Sequence, residues 1–163
     1  MENKKIIVVS GTPATGKTTI AKKLSEYLKY RYVDVNKVIK DNNLCEDYDK
    51  ARHCNVVDVN RLNVILIKLI DDSEESLVID SHMAHFLPKD KVDLVIITKC
   101  GLKELERRLH EREYPEAKVR ENLDSEIFDI CLVEAKEKGH DIIEINTDKE
   151  INIKIIKNKI DLI

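Results

Sequence analysis

The residues with the clearest chemical meaning are Gly11-Thr12-Pro13-Ala14-Thr15-Gly16-Lys17-Thr18, which fit the phosphate-loop pattern G-x-x-x-x-G-K-[ST]. The chemistry of such a loop is electrostatic. Gly11 and Gly16 lack a Cβ, so the backbone can close around an anion. Gly11, Ala14, Thr15, Gly16, Thr18 and Thr19 form the expected binding surface, where loop N–H groups and the positive end of a helix face a phosphate. Lys17 adds a point charge toward the β- and γ-phosphates, and the Thr18 hydroxyl is placed to meet Mg²⁺. ATP with Mg²⁺ is the ligand this chemistry predicts.

A second candidate is Asp80, a carboxylate at the end of the apolar run Leu77-Val78-Ile79. Parallel sheets bind ligands beyond the carboxyl ends of their strands, so Asp80 is expected to help hold the metal beside Thr18. His82 lies two residues on. A neutral imidazole there can donate or accept near pH 7 and orient water or touch a phosphate; a structural histidine bonded to a loop carbonyl is the plainer alternative. His53, His85, His110 and His140 have no constellation around them in the sequence and read as structural or exposed.

The third candidate is cationic. Arg107, Arg108 and Arg112 follow one another on or just after one helical stretch, with Arg108 and Arg112 four apart on one face. Forked guanidinium groups match the dispersed charge of a transferring phosphoryl group. Glu104, Glu106, Glu111 and Glu113 are interleaved, so a solvated ion-paired face is the competing reading.

The elements that must position these groups alternate. Ile6 to Val9 form a short β-branched run, as a strand buried on both faces does. Thr18 to Lys29 places Ile20, Ala21, Leu24 and Leu28 at helical spacing. A second strand is expected over 30–35 and a short helix over 37–41, capped by Asp34 or Asn36. Residues 41–55 are polar and weakly periodic and read as a mobile or substrate-covering segment. Asp58 caps a helix to Ile70 with Leu62, Ile65, Leu66 and Leu69 on one face. The strand 77–79 comes next, then a fourth strand over 92–97. A helix over 101–112 turns Leu102, Leu105 and Leu109 inward. Pro115 starts one long helix to about Lys138, with Val119, Leu123, Ile127 and Ile130 as its apolar face, and Gly139 stops it. A fifth strand, 142–145, and a last helix, 150–160, complete an α/β chain with a parallel sheet covered on both faces.

At 163 residues this reads as one domain. Hydrophobic residues make up 42% and charged residues 36%, a globular composition, and the net charge of −3 gives no global basic signature for nucleic acid. Few aromatics and no Trp argue against a base-stacking platform, so no stable nucleic-acid binding is expected. Cys45, Cys54, Cys100 and Cys131 form no C-x-x-C pair, which points to reduced thiols. No apolar run is long enough for a bilayer, and residues 1–9 do not form a signal peptide, so a cytoplasmic or nuclear chain is expected, with no membrane partner. Frequent Asn weighs mildly against an extreme thermophile.

Taken together, the segments resemble the nuclear adenylate kinase (isoenzyme six) and coilin-interacting nuclear ATPase family with its archaeal members. The likeness rests on Gly11-Thr12-Pro13 with Gly16-Lys17-Thr18-Thr19, on Asp47-Tyr48-Asp49 with Asp58 and Arg61, and on Val78-Ile79-Asp80-Ser81-His82. It continues through Phe86-Leu87-Pro88, Arg108-Leu109, Arg112-Glu113-Tyr114, Asn122-Leu123, Glu126-Ile127-Phe128 and Glu134-Ala135. The resemblance implies a three-layer P-loop NTPase fold of the adenylate kinase type, its five parallel strands in the order 2-3-1-4-5. It implies a monophosphate-binding segment at about 34–57 and a short lid at about 111–121. It also implies transfer of the γ-phosphoryl of ATP to AMP or another nucleoside monophosphate, a slow ATPase, and a part in small-ribosomal-subunit (16S rRNA) maturation through a ribosomal protein of the uS11 type. By position, Lys17, Asp80, His82 and Arg112 are the implied catalytic residues, with Arg108 and Arg112 reaching ATP.

Three positions depart from that family. Ala14 stands where a glycine is common, and the cradle survives unless the site needs φ > 0. Lys40 stands where an arginine is common and cannot make the same bidentate contact with a monophosphate. Glu113 stands where glycine usually follows the lid arginine, which stiffens the hinge, and a carboxylate there is repelled by phosphates if it points inward. Three functions compete: a monophosphate kinase, an ATP-switched assembly factor, and a small-molecule kinase of the shikimate or gluconate sort.

Overall fold

The computed structural model describes residues 3–50 and 54–163, the side chains of Cys54 and Asn55 excepted. The apolar run at the start forms β1 (Ile6–Ser10), buried at every position, and it sits at the centre of a parallel sheet. Its neighbours are β5 (Leu77–Asp80) on one side and β6 (Leu94–Lys99) on the other, with β2 (Arg31–Asp34) and β7 (Ile142–Asn146) at the edges. Counted along the sheet-forming strands alone, this is the expected order 2-3-1-4-5. The register Val9↔Asp80 and Asp34↔Asp80 brings three strand ends to one rim of the sheet.

Alternate residues of β1 serve opposite layers. Ile7 and Val9 pack with Ile20, Ala21 and Leu24 of α1 (Lys17–Leu28) and with Ile156 and Ile160 of α7 (Ile153–Ile160). Ile6 and Val8 pack with Leu62, Leu66 and Ile70 of α3 (Val59–Asp72) and with Leu132 and Ala135 of α6 (Ile130–Glu137). A strand with no solvent-facing side must be apolar throughout, which is why Ile6–Val9 is unbroken. The Asp58 carboxylate caps α3 by accepting from the N–H groups of Asn60 and Arg61, as the sequence predicts. Of the two candidate caps for α2 (Val35–Asp41), it is Asp34 that accepts from Asn36 N–H.

The structure corrects the sequence reading in four places. Where the sequence shows no strand, an antiparallel hairpin overlaps the polar 41–55 segment and runs past it, β3 (Cys45–Asp49) with β4 (Cys54–Val57). Cys45 to Tyr48 are exposed on both strand faces, so no alternation marks the strand. Residues 51–53, His53 among them, lie outside the described residues.

The long helix expected after Pro115 is two helices, α5 (Glu116–Ile127) and α6. Asp129 ends α5 in the left-handed conformation, φ 51°, and ion-pairs with Lys99, which also reaches Glu126 at 3.2 Å. Asp enters that conformation more readily than most residues. The break turns Ile127 and Ile130, expected inward, out to solvent. Leu102, expected inward on α4 (Leu102–Glu111), is likewise exposed because it opens the helix ahead of the buried Leu105 and Leu109. The last helix starts three residues later than expected, at Ile153, behind an Asn152 cap. Among the described residues no helix is long and apolar enough to cross a membrane. Cys45, Cys100 and Cys131 are free thiols.

Candidate functional site

The chain between β1 and α1 is held open by its carbonyls. Thr15 folds back, its N–H and its Oγ1 both donating to the Thr12 carbonyl at 3.2 and 2.6 Å. Thr98 at the end of β6 meets Thr15 Oγ1 at 2.7 Å. Thr147, just beyond β7, donates to the Thr15 carbonyl at 2.7 Å. Arg108 on α4 donates to the Ala14 carbonyl at 3.3 Å. With these carbonyls engaged, the N–H groups at the start of α1 have no carbonyl partner within the helix.

Glycine is required at both ends. A Cβ at Gly11, φ 144°, would lie 2.5 Å from Thr98 Oγ1 and 2.7 Å from the Thr98 carbonyl; at Gly16, φ 90°, it would press on Thr147. Ala14 also has positive φ, 69°. The site therefore does need φ > 0 at the position where the resembling family often has glycine. The Ala14 methyl packs with Cys100, Leu105, Leu109 and Val119, which offsets part of the strain.

Lys17 reaches across the loop and donates to the Thr12 carbonyl at 3.1 Å. Loss of solvent at the loop floor lowers its pKa to about 8, and nearby Arg112 pushes the same way, while Asp80 opposes. The Thr18 hydroxyl donates to Asp80 Oδ2 at 2.7 Å, joining the first turn of α1 to the end of β5. Tyr32 on β2 donates to the same oxygen at 2.7 Å. Burial of the phenol, then its bond to Asp80, raises the Tyr32 pKa, so it stays a donor. A hydroxyl and a carboxylate form an all-oxygen pair, which suits a hard cation such as Mg²⁺.

His82 is exposed on the turn that follows β5. Loss of solvent around the ring, then the charge of Lys17, with His85 and Lys118 adding, pushes its pKa down to about 4, so the imidazole is neutral at pH 7. Arg112 is exposed at the end of α4, close enough to Lys17 for their charges to interact, and no carboxylate pairs with it among the described residues.

The other two arginines separate. Arg107 turns outward onto Glu104 and Glu111, the solvated face expected as one alternative. Arg108 is drawn to the loop, where it bonds Glu104 at 2.8 Å, Thr147 Oγ1 at 3.3 Å and the Ala14 carbonyl. Its geometry is that of a brace behind the loop. Thr19 is exposed on the first turn of α1. Lys40 lies exposed near the end of α2, where the neighbouring Asp41 pairs with Lys37.

Sequence reasoning missed Tyr32, Thr98, Thr147 and Lys118, which are single polar residues in or just past apolar or charged stretches. It also missed His85. That ring is fully buried, with Nδ1 2.7 Å from Ser10 Oγ and Nε2 2.8 Å from Glu134 Oε2.

Comparison with known proteins bears on the family and the fold. Residues 7–129 match an AAA domain family. The adenylate kinase isoenzyme 6 homolog of Caenorhabditis elegans is 35% identical over 131 residues, covering 80% of this chain and 72% of the worm protein. The Saccharomyces cerevisiae adenylate kinase isoenzyme 6 homolog is 34% identical over 145 residues, covering 87% and 73%. Among solved structures, shikimate kinase from Acinetobacter baumannii superposes with a TM-score of 0.66 at 18% identity, covering 98% of this chain and 92% of that one; this likeness is one of fold. By sequence, the chain belongs to the adenylate kinase isoenzyme 6 family, a family of P-loop kinases.

Proposed function

We propose that the chain is a nucleoside monophosphate kinase that transfers the γ-phosphoryl of ATP to AMP or a similar monophosphate, with a slower ATPase activity. It acts as one P-loop kinase domain, in which residues of about 34–57 receive the monophosphate and a lid of about 111–121 closes over the donor. The observation that carries this reading is the meeting of Lys17, Arg112 and the Thr18–Asp80 pair at one phosphate loop.

Lys17 and Arg112 offset the charge on the transferring phosphoryl group, and the loop N–H groups of Gly11 to Thr19 orient the phosphate chain. Thr18 and Asp80 would hold Mg²⁺, which would neutralise phosphate charge. Tyr32 fixes the Asp80 carboxylate, and Arg108 and Thr147 fix the loop. The neutral His82 imidazole orients the attacking oxygen. No covalent intermediate is needed, since positioning and charge neutralisation suffice.

A second reading has a specific observation behind it. Ile127, Phe128, Ile130 and Val133 are all exposed at the α5–α6 elbow, Phe128 to 67%. Grouped exposed apolar residues suit a protein partner. In this reading the chain is an ATP-switched factor of small-subunit assembly that binds a ribosomal protein of the uS11 type, with hydrolysis as the reset.

The test is a coupled assay with ATP and Mg²⁺, with and without AMP, reading the ADP formed. Turnover well above the ATP-only rate, with two ADP per ATP consumed, supports the kinase. ATP hydrolysis that AMP does not change supports the switched factor.

A further inference from the structure

Below the phosphate loop, on the side away from solvent, three side chains of different chemistry meet. His85 sits on the short 3-10 turn Ala84–Phe86 after β5. Cys131 and Glu134 are three apart on α6, hence on one helical face. His85 is fully buried and Cys131 is 9% exposed. One nitrogen of the ring, the thiol sulfur and one carboxylate oxygen all lie within 4.8 Å of one another.

We infer that His85 Nε2, Cys131 Sγ and Glu134 Oε2 form a binding site for zinc or a similar borderline divalent metal. The site is separate from the Thr18–Asp80 pair, although Cys131 and His85 lie close enough to Lys17 for their charges to interact.

The donor set carries the inference. Nitrogen, thiolate sulfur and carboxylate oxygen are the ligand types zinc takes, and three protein ligands with an open fourth position is a common arrangement. A tetrahedral zinc spaces such donors roughly 3.3–3.7 Å apart. The His85–Glu134 contact, 2.8 Å, must open by about half an ångström to admit it.

The surroundings match as well. A ligating histidine usually donates its second ring N–H to an oxygen, which fixes ring and tautomer. Here Ser10 Oγ lies 2.7 Å from Nδ1 and can play that part, since a hydroxyl donates to Nδ1 in one tautomer and accepts from it in the other. Glu134 is two-thirds buried in its side chain and meets His85; no lysine or arginine pairs with it among the described residues. A divalent cation would supply a countercharge to Glu134; the cations already near the cluster are Lys17 and Lys99, which act on Cys131, Lys17 also acting on His85. A metal here would clamp α6 to the 3-10 turn after β5, and the Ser10–His85 hydrogen bond links that turn to the last residue of β1, just before Gly11.

The experiment is metal titration of the full chain after chelator treatment. Zn²⁺ is followed by competition with a chromophoric chelator, and Co²⁺ by its thiolate charge-transfer absorption. The expected result is one equivalent bound, with a thiolate band, in wild type and in Cys45→Ser and Asp80→Asn. Cys131→Ser should abolish the band, and His85→Gln and Glu134→Gln should each weaken binding at least tenfold. Melting curves without metal show whether each variant is folded. Cys131→Ser and Glu134→Gln are near-isosteric, so at least one folded variant is expected to report. No bound metal in wild type overturns the inference. So does binding that folded Cys131→Ser or Glu134→Gln variants leave unchanged, or that is lost in Asp80→Asn.

Discussion

The Thr18 hydroxyl and the Asp80 carboxylate lie 2.7 Å apart although 62 residues separate them in sequence. Parallel pairing of β1 with β5 brings them together, because the register sets Asp80 against Val9, close to the start of the loop. Tyr32 donates to the same Asp80 oxygen from the neighbouring strand. The carboxylate is thereby oriented before any metal arrives. Tyr32→Phe should raise the Mg²⁺ concentration for half-maximal activity severalfold while leaving the rate at saturating Mg²⁺ within about twofold, as second-sphere losses do. Mn²⁺ binding followed by electron paramagnetic resonance, in the presence of ADP, should weaken in parallel. Unchanged metal affinity would leave Tyr32 as packing.

Lys17 gives a pH signature. Loss of solvent lowers its pKa to about 8 in the free protein. The protonated form is the one that meets phosphate, so kcat/KM should fall as pH rises through about 8. Bound phosphates favour the charged form, so the corresponding limb in kcat should lie at higher pH. Lys17→Ala should remove nearly all turnover and the limb with it. A kcat/KM that stays flat to pH 10 would show that another cation serves the phosphates.

His82 should separate binding from chemistry. Its pKa is pushed down to about 4, so the ring is neutral across the working range and can take or give a hydrogen bond. His82→Ala is expected to lower ATP hydrolysis tenfold or more, with KM for ATP changed by less than about threefold, the pattern of an interaction made mainly in the transition state. Steady-state kinetics at pH 7 measure both. Unchanged hydrolysis would assign the ring to the crevice wall alone.

Much of the fold and site is legible in the sequence, for reasons that particular residues explain. Ile6–Val9 announces a strand with no solvent face, and the two glycines and Lys17 announce a phosphate loop after it. Asp80 is legible because it ends an apolar run. The hairpin is not, since Cys45 to Tyr48 bury neither face and so carry no period. The α5–α6 break is not, since apolar residues continue through it and the decisive event is one left-handed Asp129 held by Lys99. Arg108 and Arg112 are equivalent on a helical wheel, and only the packing of α4 against the loop sends one to brace Ala14 and leaves the other exposed. His85 is a lone histidine until α6 brings Glu134 to its ring.

Glu113 is the position where a small change should help the fold. It follows the cap of α4 with φ 56°, and the N–H groups of Glu113 and Tyr114 return to His110 and Leu109 in the pattern that usually ends on glycine. A left-handed residue with a Cβ carries roughly 1–2 kcal/mol of strain, whereas glycine returns about 0.4–1 kcal/mol of that through the unfolded chain. Glu113 is exposed, so no packing is lost. Glu113→Gly should therefore gain about 0.5–1 kcal/mol and raise Tm by about 2 °C, as read by thermal unfolding without nucleotide. Ala14→Gly relieves the same kind of strain but deletes a buried methyl worth about 0.8 kcal/mol, so its Tm should barely move. A fall in Tm for Glu113→Gly would mean that the carboxylate itself stabilises the turn after α4, through its charge and not through the backbone.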